Sequence, residues 1–168
     1  TINGYADELV KFTDDLRESH AIDNEIRKAG LPALAKDTAK HWGDLPAKPV
    51  VPYLDFSPLQ NALAQLKTTT DNLRSALSKP VDPAKRKTIN KILYTAEQQL
   101  LLDQGLPRRK WYKHSIYAPG FYTGYGVKTL PAIREAIEQN NWTEAQQGIT
   151  DVSQAILRLS GYLNGLTK

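Results

Sequence analysis

The chain has 168 residues, 40% of them hydrophobic, and a formal charge of +4. That is enough apolar material for one folded core and argues against general disorder. There is no cysteine, which removes disulfides and thiolate metal ligands, and no apolar run of the roughly 18 residues that a membrane-crossing helix needs.

Ile2, Tyr5, Leu9, Phe12 and Leu16 recur at spacings of three and four and predict a first helix. A second helical stretch follows with Ile22, Ile26 and Ala29, interrupted by Gly30 and Pro32. Ala33 to Trp42 reads as another short helix. Leu45 to Pro58 is a connector, because Pro46, Pro49, Pro52 and Pro58 favour extended backbone. Ser57 is placed as an N-cap with Pro58 at the first helical position, and Leu59, Leu63, Leu66, Leu73 and Leu77 form the apolar face behind it. Lys79 and Pro80 end that helix. Asp82 and Pro83 open the next, whose stripe is Ile89, Ile92, Leu93, Ala96 and Leu100, to about Asp103. Gly105 and Pro107 close it.

After a long irregular stretch, Thr129 is expected to cap a short helix with Pro131 near its start and Ile133, Ala136 and Ile137 facing inward. Asn141 and Glu144 carry a capping signal for a last helix, from Trp142 to about Asn164. Its stripe is Ala145, Ile149, Val152, Ile156, Leu159 and Leu163. No strand-like alternation of any length is found, so the expected fold is all-α, a bundle of long helices in a single domain over residues 1–168.

Metal and nucleophile chemistry is poorly provided. His20, His41 and His114 lie far apart and form no paired-ligand spacing, and there is no phosphate loop or serine elbow. Each histidine is read as a surface or capping residue. Composition therefore points away from a self-contained enzyme, with no catalytic residue and no metal ligand assigned.

The irregular stretch is the informative one. Gln104 to Arg134 contains Arg108, Arg109, Lys110, Lys113, Lys128 and Arg134 but no Asp or Glu, so it carries +6 and leaves −2 for the rest of the chain. It also holds Trp111, Tyr112, Tyr117, Phe121, Tyr122 and Tyr125, punctuated by glycine and proline. Long loops of this kind between helices more often serve function than packing alone. Taken alone, basic residues interleaved with aromatics fit nucleic acid. Trp111, Tyr112 and Tyr117 are expected to pack the loop against the bundle, and Tyr125 is the functional candidate.

The order Gly105-Leu106-Pro107, Tyr112, Lys113-His114, Ile116-Tyr117-Ala118-Pro119, Tyr125 and Pro131 resembles the C-terminal region of the transferrin receptor and glutamate carboxypeptidase II family. The resemblance implies the transferrin receptor-like dimerisation domain, a four-helix bundle with a long irregular insertion before the last helices. It implies a homodimeric parent in which this domain follows a peptidase-like and an apical domain. Zinc would belong to the absent peptidase domain, with no cofactor in this chain. In glutamate-specific relatives, a Lys-Tyr pair on this loop contacts the substrate's terminal residue. Tyr125 matches the tyrosine, as a substrate-binding residue in the parent. Gly124 stands where the lysine would be and supplies no charge, so glutamate selectivity does not carry over with the match. Lys128 lies three residues on but is not placed in the lysine's role.

With the resemblance in hand, nucleic acid is not expected as a partner, nor is membrane insertion by this segment. Asn141-Trp142-Thr143 is an N-glycosylation sequon, so Asn141 is a possible glycan site as well as a cap. The family is mostly membrane-anchored or vacuolar, which implies a parent of that kind, and a start at Thr1 without Met reads as excision from a longer chain. Two classes stand side by side: a non-catalytic dimerisation module that helps complete a peptidase cleft, and a free-standing helical binding or scaffold protein.

Overall fold

The computed structural model describes residues 2–30, 46–78, 80, 82–124 and 126–166. The chain is mostly helical and divides into two compact units, one of Thr1–Asp7 with Leu54–Lys168, the other of Glu8–Tyr53. The helix expected over Ala33–Trp42 and the candidate Tyr125 lie outside the described residues.

Helix α1 (Ile2–Lys28) is one continuous helix, not two. Nothing between Leu16 and Ile22 breaks it, since Arg17-Glu18-Ser19-His20-Ala21 holds no glycine or proline. Leu9 is fully buried, but Ile22 and Ile26, expected to continue an apolar stripe, are 52% and 39% exposed. Within Glu8–Tyr53 the helix instead presents a polar stripe to the proline-rich segment. Arg17 Nη2 donates to Pro52 O at 3.1 Å, His20 Nδ1 lies 2.8 Å from Pro49 O, and Arg27 Nη1 donates to Pro46 O at 2.9 Å. Asn24 and the backbone of Lys48 bond to each other in both directions, at 3.0 and 2.8 Å. Positions 17, 20, 24 and 27 share one helical face. Proline has no N–H to offer a ladder, so these carbonyls find donors on side chains.

In the other unit, α2 (Ser57–Leu77) begins one residue earlier than expected. Phe56 is its N-cap without a side-chain bond, while Asp55 Oδ1 accepts from the Ser57 amide at 2.9 Å. Leu59, Ala62, Leu63, Thr69 and Leu73 are buried; Leu77 is not. Helix α3 (Pro83–Thr95) passes into a 3-10 turn over Ala96–Leu100 rather than continuing as α-helix to Asp103. Its Leu93 and Tyr94 are exposed, although Leu93 was assigned to the inner stripe.

Helix α5 (Trp142–Asn164) is the axis of this unit. It packs against α2, against the 3-10 turn and against α4 (Pro131–Glu138), and more lightly against α3. The whole expected stripe from Ala145 to Leu163 is buried, and Asn141 caps the helix by accepting from the Glu144 amide at 3.3 Å. Gly148, Ser153, Ala155 and Ser160 are buried as well, which widens the stripe so that several neighbours fit. A Cβ on Gly148 would lie 3.2 Å from the Ala132 carbonyl, so glycine sets the approach of α4 to α5. Ser153 and Ser160 donate to Ile149 O and Ile156 O at 2.6 and 3.0 Å, which satisfies both buried hydroxyls.

Because Ile156 is fully buried on this axis, Ile156→Ala is expected to destabilise the chain by about 2–5 kcal/mol. Urea unfolding followed by circular dichroism measures it, and a cost below about 0.5 kcal/mol would mean that the position behaves as surface.

Candidate functional site

The candidate site is the segment between the 3-10 turn and α4, and it is folded by its own backbone. Leu102 N donates to Lys113 O at 2.8 Å, Ser115 N to Leu100 O at 3.1 Å and Leu106 N to Tyr112 O at 2.7 Å. Gly105 has φ +70, and a Cβ there would lie 2.2 Å from Lys110 O, so only glycine closes this turn. Strands β1 (Tyr117–Pro119) and β2 (Val127–Thr129) then pair antiparallel, with Tyr117 opposite Thr129. Two three-residue strands leave too short an alternation to be read from sequence. Between them lies the tip Gly120–Gly126, closed by Gly120 N donating to Gly126 O at 2.7 Å.

The hairpin hands over to α4 through Leu130, not through a Thr129 cap. Leu130 is the N-cap in left-handed geometry (φ 47), fully buried, and its amide donates to Ile116 O at 2.7 Å. Burial and that bond offset the roughly 1 kcal/mol or more that such a backbone costs a branched residue. Thr129 serves Arg134 instead: its Oγ1 accepts from Arg134 Nη2 at 3.1 Å.

One ion pair ties these pieces together. Arg109 and Glu135 are 3% and 5% exposed. Arg109 Nη2 donates to both Glu135 oxygens, at 2.7 and 2.8 Å. Its Nη1 donates to Pro119 O at the end of β1. Glu135 Oε1 also accepts the Phe121 amide at 2.8 Å, so one carboxylate holds the guanidinium and the first residues of the tip. The guanidinium lies 5.5 Å from the Tyr112 ring centre and 5.8 Å from that of Phe121. A charge removed from water in this way persists only because it is paired and bonded on several sides.

Arg108 and Lys128 are also engaged. Arg108 forms a two-pronged bond to Glu144 at 2.9 Å for each prong, and this holds its pKa above the usual arginine value against some loss of hydration. Lys128 Nζ lies 2.6 Å from Glu138. The acid-free window therefore meets its acids from α4 and α5, and its net field is weaker than its composition suggests. Glu97 accepts a 2.5 Å hydrogen bond from the Tyr117 hydroxyl; that bond lowers the Glu97 pKa and raises that of Tyr117. His114 stacks on Tyr117 at 4.0 Å between ring centres, and burial lowers its pKa against the attraction of Glu97. Its Nδ1 accepts from the amides of Ile116 and Tyr117 at 3.3 and 3.4 Å, a turn-capping role.

The aromatics do not pack as expected. Trp111, Tyr112 and Tyr117 are 75%, 37% and 48% exposed, and Tyr122 is 74% exposed. Tyr117 is held by Glu97 and His114 and Tyr112 lies beside Arg109, while Trp111 and Tyr122 stand largely in solvent. Among the described residues no three His, Asp or Glu side chains converge as a metal site requires, so these residues do not fit a zinc ligand set. No helix among the described residues is long and apolar enough to cross a membrane.

The sequence model of the transferrin receptor-like dimerisation domain matches residues 54–164, about two thirds of the chain. The chain is 30% identical over 150 residues to a probable glutamate carboxypeptidase of Arabidopsis thaliana, covering 85% of this chain and 22% of that protein. It is 31% identical over 117 residues to a probable glutamate carboxypeptidase of Arthroderma benhamiae, covering 67% of this chain and 16% of that one. The chain thus spans about a fifth or less of the length of these relatives.

The Arg109–Glu135 pair gives the sharpest local test. Glu135→Ala leaves a buried guanidinium and the Phe121 amide unpaired, and is expected to cost about 3–5 kcal/mol in urea unfolding. A cost under about 1 kcal/mol would show that water replaces the carboxylate there.

Proposed function

Since the chain belongs to the transferrin receptor-like dimerisation domain family, we propose that it is the non-catalytic helical module through which a larger peptidase-like protein forms a homodimer. On this reading it also lends the tip Gly120–Gly126 to that protein's substrate cleft, with Tyr125 as a phenol donor to the bound substrate. The observation that carries it is the family match over residues 54–164. That range holds α2, α3, the hairpin, α4 and α5. The two relatives named as probable carboxypeptidases extend well beyond the matched region. They support further domains in the parent; that these are a peptidase-like domain carrying zinc and an apical domain is part of the proposal.

The four-helix bundle belongs to the same proposal. It is supported by the two long packed helices α2 and α5, and by the bond between Thr95 of α3 and Tyr162 of α5 at 2.7 Å. Glycosylation at Asn141 is a further part of it. Asn141 and Thr143 are exposed, but the Asn141 side chain already caps α5, so a glycan there would compete with the cap.

For self-association, the unit offers a groove at the end of α2 and along α3, lined by apolar Leu77, Pro80, Ile89 and Leu93 together with Ser78, Arg86 and Asn90. Leu77 and Leu93 are 37% and 41% exposed, with Tyr94 beside them at 87%. A family defined by dimerisation makes a second copy the fitting occupant, and an apolar surface with a polar rim is what such interfaces bury. The test is sedimentation equilibrium of the full-length protein and of its Leu93→Asp variant. The wild type is expected to be a dimer and the variant to shift toward monomer with an unchanged circular dichroism spectrum. A monomeric wild type would overturn self-association; a variant that stays dimeric would move the interface off α3.

A further inference from the structure

We propose that His114 is an acid-sensitive latch at the base of the hairpin: its neutral ring holds the start of β1, and a proton taken from solvent releases it. The inference depends neither on the reading of the chain as a dimerising module nor on where a substrate would bind.

The geometry requires one protonation state. His114 Nδ1 faces the amides of Ile116 and Tyr117 at 3.3 and 3.4 Å. An amide N–H only donates, so Nδ1 must accept, and it accepts only while it carries no proton. Among the described residues no backbone carbonyl takes the Ile116 amide, so His114 is its acceptor. Ile116 is buried, and an orphaned amide there is costly. The neutral ring therefore keeps its proton on Nε2. That nitrogen lies 3.3 Å from Glu97 Oε1 but is not aligned with it as a hydrogen bond. Tyr117 stacks on the flat side of the ring at 4.0 Å between centres, and only 17% of the His114 side chain is exposed.

A second proton changes both ends of the ring. At Nδ1 a new N–H would point at two N–H donors, and both bonds would be lost. At Nε2 the charged ring would attract Glu97, whose Oε1 accepts the Tyr117 hydroxyl at 2.5 Å. The imidazolium and the phenol would then compete for one carboxylate. Glu97 from the 3-10 turn and Tyr117 from β1 face the ring, and Lys113 precedes it in the chain. From α5, Arg158 donates at 2.9 Å to the carbonyl of Leu101, the residue bridged to His114. Burial disfavours the charged ring and outweighs the attraction of Glu97, so the pKa lies below the ordinary histidine value. A lowered histidine pKa contributes stability that is complete above the unfolded value of about 6.5 and is lost as pH falls through the folded value. The latch is therefore closed at neutral pH and opens on the acid side.

The test is hydrogen exchange of the full-length protein, read by mass spectrometry on peptides covering Ile116 and Tyr117 between about pH 8 and about pH 5, the range in which a histidine titrates. Protection is taken relative to the free-peptide rate at each pH. In the wild type it is expected to fall at least about tenfold across this range, the change that one pKa unit brings, while peptides from α5 keep theirs. His114→Asn supplies an oxygen that accepts from the same amides and does not titrate, so its protection should stay level. His114→Ala should hold protection at the acid level throughout. Glu97→Gln removes the attraction of the carboxylate and should move the transition to lower pH. Wild-type protection that stays level, or rises on acidification, would overturn the latch. So would a fall in His114→Asn equal to that of the wild type, since another group would then be the sensor.

Discussion

The bond between Arg109 and Glu135 is the constraint on which the functional segment depends. The two residues are 26 apart in sequence, and their meeting closes the region from the first turn after the 3-10 helix to the second turn of α4. The pair does more than join two side chains. Arg109 takes the Pro119 carbonyl and Glu135 takes the Phe121 amide, so the backbone on either side of Gly120, where β1 enters the tip, is held by one charged centre. Burying such a pair gains little net stability over an apolar core, because desolvation consumes most of the attraction. What it gives is specificity of arrangement: few other placements of the backbone satisfy this many donors and acceptors at once.

The pair in turn depends on the helical axis. Glu135 sits on α4 beside Ile133, Ala136 and Ile137, all fully buried, and α4 is pressed onto α5 at the close approach of Gly148 to Ala132. The chain of cause runs from the wide apolar stripe of α5, to the docking of α4, to a buried carboxylate, to an ordered tip. Arg108 on Glu144 adds a second tie from the loop to the first turn of α5, where a carboxylate is also favoured by the helix N-terminus. Segments without regular secondary structure are usually the least stable parts of a domain. This one is tied down chiefly by charge pairs, with Tyr117 adding its bond to Glu97, while Trp111 and Tyr122 remain at the surface.

Much of this was legible in the sequence, and the limits have physical causes. The spacing of Ala145, Ile149, Val152, Ile156, Leu159 and Leu163 fixed one face of a helix, and the Asn141–Glu144 signal marked its start, because both are local patterns. Leu93 and Leu77 have the spacing of core residues yet are exposed, since periodicity shows that a face is apolar and not what covers it. The polar stripe of α1 at Arg17, His20, Asn24 and Arg27 carries no sequence signal of what it meets; only the proline carbonyls beside it reveal its use. The basic window looked like a field of free cations because its acids lie outside it. A signal was present: Glu135 falls among the inward residues of α4, and a carboxylate on a buried face requires a partner. Naming that partner needed the fold.

The account stands or falls on whether the Glu135 carboxylate holds the tip. Native-state hydrogen exchange of the chain, read at the Phe121 amide, addresses this directly. Phe121 is exposed and has no helix or strand partner, so an unheld amide would exchange at the rate of a free loop. The account predicts instead protection approaching that of the buried amides of α5, lost selectively in Glu135→Ala, which removes the acceptor, while α5 stays protected. Exchange at the free-loop rate in the wild type, or protection untouched by the substitution, would contradict it.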